Sequence, residues 1–350
     1  RYVVDGVAEL TTDYTLSLTG PSQIFLEEGE AAKKRGIRLY SMTNTGGQTW
    51  DFGVIPYEPM PYQWQARHEK IIEAKEKYGL CGLMESHHYG FYPSFISELA
   101  KWNFTHSNKD NKGILRKILA SLYDEKNVGK VEEGLKHWSE AIKHYIADAC
   151  DQYSAFRIGP AYPLCFLAPI KPPSAEYAHF GAGIVDVDYF SSYYNNAVPS
   201  LSTPMIRIHH EIKSIKKLEE LLINGIKVLE EIENPNDELE ELIDIGKFME
   251  YSAHTAINVK SFAVTKAKLY SETEPNKIED YLNELEKIAH DEIENAKRAI
   301  PLVKKNSRLG WEPSMEYLGD ERHILWKLKQ MDYMLEHEIG TYKKCLQNDF

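Results

Sequence analysis

From residue 209 to the C-terminus, apolar side chains recur at helical spacing, and this constrains the fold more than any other feature of the chain. In HHEIKSIKKLEELLINGIKVLEEIE (209–233), Ile212, Ile215, Leu218, Leu222, Ile226 and Leu229 fall on one face, with charged residues on the other. NPNDE then breaks the pattern, with Asn236 or Asp237 as the N-cap of the next helix. Further helices are expected over about 237–271, 277–304 and 320–347. Four long amphipathic helices joined by short loops describe a bundle-like domain.

The first two hundred residues have a different texture, aromatic and rich in Gly and Pro. SQIFLEEGEAAKKRG (22–36) reads as a helix closed by a C-cap glycine, and IRLYSMTN (37–44) as a strand. YQWQARHEKIIEAKEKYG (62–79) reads as a second glycine-closed helix, LCGLMES (80–86) as a strand and PSFISELAKWNF (93–104) as a helix. Strand, loop and helix in repeated order imply parallel strands with helical crossovers. The expected fold class is therefore α/β plus α: the C-terminal part of a (β/α)8 barrel followed by a helical bundle-like domain. Residues 1–125 would form the barrel part. Residues 126–205 would add a helix (131–146) and aromatic loops packed on it, and 206–350 would be the α-helical domain. The opening RYVVDGVAEL carries neither a start methionine nor a signal pattern and reads as the middle of a strand. The chain is accordingly expected to begin partway through the barrel.

Composition narrows the function classes. With 43% hydrophobic residues in 350, the chain can bury a large core. No run of about 18 apolar residues occurs, so no membrane-spanning helix is expected. A net charge of −12 disfavours nucleic acid as a partner. Cys81, Cys150, Cys165 and Cys345 are scattered without a CxxC pair, which argues against a zinc site and slightly favours a reducing, cytoplasmic compartment. No cofactor or metal is expected.

Two aromatic segments carry acids. YSMTNTGGQTWDFGVIPYEPMP (40–61) holds Asp51, and GLMESHHYGFYPS (82–94) holds Glu85 at the end of an apolar run. In parallel α/β barrels, active sites lie at the C-terminal ends of the strands, so adjacent strands would bring both acids to one mouth. A buried acid calls for a partner or a function. Asp51 and Glu85 are thus the candidate catalytic residues. Asn44, Trp50, Tyr57, Trp64, His87, His88, Tyr89, Tyr92 and Tyr162 are the candidate substrate-binding residues around them. Aromatic faces stack on the apolar faces of sugars, and carboxylates supply the acid, base or nucleophile that a glycosidic bond needs. His87 and His88 could ligate a metal, but neighbouring strand residues point to opposite faces, so hydrogen bonding to sugar hydroxyls or plain structural packing is preferred. Trp102, at a helix end, is read as core. IGPAYPL (158–164) is read as a turn carrying Tyr162.

NTGGQTWDFGVIPYEPMP followed by GLMESHHYG resembles the end of the barrel in microbial α-glucuronidases. The resemblance covers about residues 36–95 and implies that Asp51 and Glu85 match general-base positions of an inverting hydrolysis, with the general acid on an earlier strand. The tandem histidines depart from that pattern. More broadly, FYPSFISELAKW (91–102) and the GPAYPL segment are similar to bacterial proteins related to α-glucuronidase and β-hexosaminidase barrels. On the hexosaminidase analogy the catalytic pair would lie upstream, leaving Asp51, Glu85 and the aromatics to bind substrate.

The leading expectation is a glycoside hydrolase acting on terminal sugars of oligosaccharides or glycoconjugates through a carboxylate pair. A second reading is a non-catalytic carbohydrate-binding protein on the same scaffold. A third makes the helical half an oligomerisation module, since its apolar stripes fit either an intramolecular bundle or a homo-oligomer.

Overall fold

The structure, a computed structural model, describes residues 2–9, 15–47, 49, 51–52, 54–84, 92–105, 111–147, 155–167, 204–312, 316–317 and 319–349. The chain opens with an antiparallel hairpin of β1 (Tyr2–Val4) and β2 (Val7–Glu9), turning at Asp5 and Gly6, both at positive φ. Helix α1 (Gln23–Arg35) is capped by the Ser22 hydroxyl, which accepts from Phe25 N–H, and ends at Gly36 with φ 65°. β3 (Leu39–Met42) follows, then α2 (Pro61–Tyr78), which starts on a proline and ends at Gly79 with φ 72°. Both C-cap glycines stand where the sequence places them, in the left-handed region that glycine alone enters without strain. β4 (Leu80–Met84) pairs with β3 in parallel, with Tyr40 opposite Gly82 and Met42 opposite Met84.

Here the barrel expectation fails. Among the described residues β3 and β4 form a two-stranded sheet, and the fold is mostly helical, not the C-terminal part of a (β/α)8 barrel. The physical reason lies on either side of the pair. The opening segment folds back on itself as a local hairpin and does not extend the parallel sheet. After the sheet come three helices without an intervening described strand: α3 (Phe95–Thr105), α4 (Asn111–Tyr123) and α5 (Val128–Ala141). α4 is absent from the sequence reading, although Ile114, Leu115, Ile118, Leu119 and Leu122 carry helical spacing.

The short α6 (Ala155–Ile158) leads to the long helices α7 (Pro204–Glu230), α8 (Asp237–Ser271) and α9 (Pro275–Lys305). A two-residue-per-strand hairpin, β5 (Trp311–Glu312) and β6 (Glu316–Tyr317), precedes α10 (Glu321–Tyr333), and a π-helical turn joins that to α11 (Gly340–Asp349). Asn236 caps α8, its Oδ1 accepting from Leu239 N–H at 3.0 Å while its Nδ2 donates to Leu122 O at 2.7 Å. The same residue thus starts one helix and fastens it to the end of α4. α8 packs against α7 on one side and α9 on the other, and α5 packs along α7. One apolar core runs from Leu16 through Trp64, Leu135 and Leu222 to Ile339, so the helices of both halves bury their stripes in common.

Trp138 on α5 sits at the centre of that core, fully buried, its indole N–H donating to Leu222 O at 3.0 Å. Two glycines make room for it. A Cβ on Gly225 of α7 would lie 2.3 Å from the indole nitrogen, and one on Gly246 of α8 would lie 2.4 Å from the ring. Gly225→Ala is expected to lower stability by about 1–3 kcal/mol through overpacking, read as a shift of the urea midpoint; an unchanged midpoint would show that the indole moves aside freely.

His254 of α8 clamps three helices. Its Nδ1 meets Glu219 of α7 at 2.6 Å and its Nε2 meets Asp291 of α9 at 2.7 Å. Burial alone would depress the imidazole, but the hydrogen bonds and charges of Glu219 and Asp291 outweigh it and raise its pKa to about 9. The ring is therefore protonated in the folded chain at neutral pH. A raised cationic pKa stabilises fully below the unfolded value near 6.5 and loses that contribution as pH rises through 9. His254→Gln should flatten the fall in stability between pH 7 and 10 by about 1 kcal/mol, the partly exposed site screening the full effect; parallel urea curves of the two proteins across that range would refute the clamp.

Candidate functional site

The loop between β3 and α2 is built around buried polar contacts. Gly47, at φ 109°, lets its carbonyl accept from Glu58 N–H at 2.5 Å. A Cβ there would stand 3.2 Å from the side chains of Tyr57 and Ile96, so glycine satisfies both the dihedral and the close approach. Thr49 donates from its N–H (3.1 Å) and its hydroxyl (2.5 Å) to Glu58 Oε1. Asp51 Oδ2 accepts from Leu16 N–H at 2.6 Å and from the Thr15 hydroxyl at 3.1 Å. Arg67 of α2 donates to Thr15 O, to Leu18 O at 2.8 Å and to Asn44 O at 3.4 Å, and Gln63 donates to Leu16 O at 3.0 Å. The N-terminal segment is thereby strapped across the loop by side chains, in place of a sheet ladder.

His68, also from α2, is neutral. Its Nδ1 accepts from Asn103 Nδ2 at 2.8 Å and its Nε2–H donates to Thr45 O at 3.1 Å, a tautomer assigned from those partners. Burial pushes its pKa down to about 4.

Asp51 and Glu58 are each 1% exposed. Burial raises Asp51 to about 6, against the lowering effect of its bonds to Leu16, Thr15 and Thr49 and of the Arg67 charge. Burial and then the Asp51 charge push Glu58 well above the ordinary carboxylate range. Glu58 Oε2 has no hydrogen-bond partner among the described residues.

A cavity of about 800 Å³ opens on the other side of Tyr57. The chain segment Tyr92–Ser94, α3, α4, the first turn of α8 and Arg308 enclose it. Tyr57 and Tyr92 stack with centroids 6.0 Å apart and planes at 15°, and Phe95 meets Tyr57 edge-on at 5.6 Å. Tyr123, buried at the base, faces the same space, and Trp102 stands at its edge 41% exposed. The charged residues lining it are Glu98, Lys117, Glu238, Glu241 and Arg308. Arg308 is anchored, bonding the Tyr92 hydroxyl, Glu241 at 2.6 Å and Asn306 Oδ1 at 2.9 Å. Burial raises Tyr57 and Tyr123 well above the usual phenol range, so both remain hydroxyl donors.

The structure distributes the sequence candidates among three settings. Tyr57 and Tyr92 line the cavity. Asp51, Asn44 and Trp64 are buried beside the loop, Asn44 at φ 47° and Trp64 with its indole N–H on Glu58 O at 3.0 Å, and none of the three lines the cavity. Tyr162 is half-buried against the main core. Glu85, Trp50, His87, His88 and Tyr89 lie outside the described residues. The chain does leave β4 at Met84 from the same end at which it leaves β3, since Thr43 N–H donates to Met84 O at 3.1 Å. Trp102, read from sequence as core, is at the cavity instead. Glu58, Tyr123, Glu238, Glu241 and Arg308 went unseen; only Glu58, next to Tyr57, carried a local signal. Among the described residues no cluster of His, Cys, Asp and Glu could hold a metal ion, and no helix is long and apolar enough to cross a membrane. No family model, no curated protein and no solved structure matches the chain.

The carboxyl pair makes stability pH-dependent. Raised acid pKa values stabilise the fold fully below about pH 4, and the contribution is lost as pH rises through 6 and beyond. For Asp51 alone, a shift of about two units corresponds to about 3 kcal/mol. Glu58→Gln keeps the acceptor for Thr49 and removes one charge, so its urea midpoint should fall much less than that of the parent between pH 4.5 and 8. Equal pH slopes would mean that the two acids do not share a buried environment.

Proposed function

We propose that the chain binds a saccharide in the cavity between α3, α4 and the start of α8. The observation that carries this reading is the aromatic wall: Tyr57 stacked on Tyr92, with Trp102 at the edge. Flat rings match the apolar C–H faces of a sugar, while the Glu98, Lys117, Glu238 and Glu241 side chains offer partners to its hydroxyls. A volume near 800 Å³ suits one or a few sugar units, since small-ligand pockets span about 300–1,000 Å³. Hydrolysis forms no part of the proposal. Glycosidic cleavage needs two carboxyl groups flanking the bond, and Asp51 is bonded to Thr15 and Leu16 outside the cavity lining.

Trp102→Ala is the direct test, because a side chain 41% exposed can be removed without opening the core. Calorimetric titration with a panel of oligosaccharides should show affinity reduced about tenfold, the loss of about 1.4 kcal/mol of ring contact, with the melting temperature unchanged. Parent protein that binds none of the panel, or a variant that binds as well as the parent, would overturn the assignment.

A further inference from the structure

We infer that the saccharide taken by this cavity carries a protonated amino group. The inference rests on the saccharide reading and adds a charge to it. Among the described residues, three carboxylates and two bases line the cavity. Of the bases, Arg308 is committed: its guanidinium bonds Glu241, Asn306 and the Tyr92 hydroxyl, and its centre lies 5.8 Å from the Tyr92 ring. Three of its five N–H donors are thereby engaged. Of the carboxylates, Glu98 is paired with Lys101 one turn along α3. Glu238 makes no ion pair among the described residues, and its neighbours Asp237 and Glu240 already answer the positive end of α8.

Among the described residues, an anionic sugar would therefore meet Lys117 and an already bonded Arg308, with three acids in the same lining. An ammonium group would find Glu238 and the indole of Trp102, an electron-rich ring of the kind that attracts cations, in the lining of the same cavity. The field of the whole chain, at net charge −12, draws in the same sign.

The test titrates the full chain with three oligomers of equal length: glucosamine, N-acetylglucosamine and galacturonate. The glucosamine oligomer should bind about tenfold more tightly than the acetylated one, with galacturonate weakest. Glu238→Gln, an exposed first-turn change that circular dichroism should show to be folded, should abolish the preference for glucosamine, so that the glucosamine and acetylated oligomers bind the variant equally. If acetylated or acidic oligomers bind as tightly as glucosamine, the charge inference is wrong and the saccharide reading stands. If none of the three binds and the wider panel also fails, the saccharide reading falls and takes this inference with it. A preference that survives Glu238→Gln would remove Glu238 as its source.

Discussion

Everything that positions the cavity depends on one indole. Trp138 joins α5 to α7 and α8 by filling slots that Gly225 and Gly246 leave open, and its N–H satisfies the Leu222 carbonyl. Helices approach this closely only where side chains are missing, and a large ring then replaces the lost contact area with its own. α5 in turn holds α2 and α4, the helices that bear on the loop and the cavity. The aromatic wall rests, through α4 and α5, on the long helices behind it.

Buried polar groups settle the remaining degrees of freedom. Lys327 of α10, fully buried, donates to Glu292 of α9 and to Pro160 O at 2.7 Å. Glu292 also accepts from Thr255 at 2.7 Å and Asn258 at 2.9 Å on α8. Burial depresses the lysine and Glu292 restores its charge in part. Such a pair adds little over apolar packing, yet loss of one member strands a charge at a cost of about 3–5 kcal/mol. The Asp51–Glu58–Arg67 group does the corresponding job at the other end, tying residues 15–18 to α2 without a strand. The apolar core sets how tightly the helices pack; these networks set their register.

Local chemistry was readable from the residues, and long-range assembly was not. Gly36 and Gly79 end their helices, Asn236 begins one, and β3 and β4 pair in parallel because each of those features depends on a few neighbouring residues. The barrel was an extrapolation from two strand-like runs. Nothing local distinguishes one crossover unit from a series of them, and the helices α4 and α5 end the series. Asp51 was legible as an acid in apolar company, but the contacts that bury it come from Thr15 and Leu16, a segment without periodicity. Glu238 and Glu241 on α8 and Arg308 in the turn after α9 reach the cavity from more than a hundred residues beyond Tyr92, and their charges look like those of any solvated surface.

The separation of the two clusters bears on chemistry. Tyr57 and Glu58 are adjacent in sequence, and extended backbone sends adjacent side chains to opposite sides. Tyr57 enters the cavity while Glu58 enters the buried acid pair, so one short loop divides the cavity wall from a buried polar cluster. A carboxyl raised by burial is a sound proton donor in principle, but Asp51 and Glu58 lie behind the wall and the carboxylates at the cavity are on its wetter side. The perturbed acids therefore hold the loop, apart from the carboxylates that line the cavity.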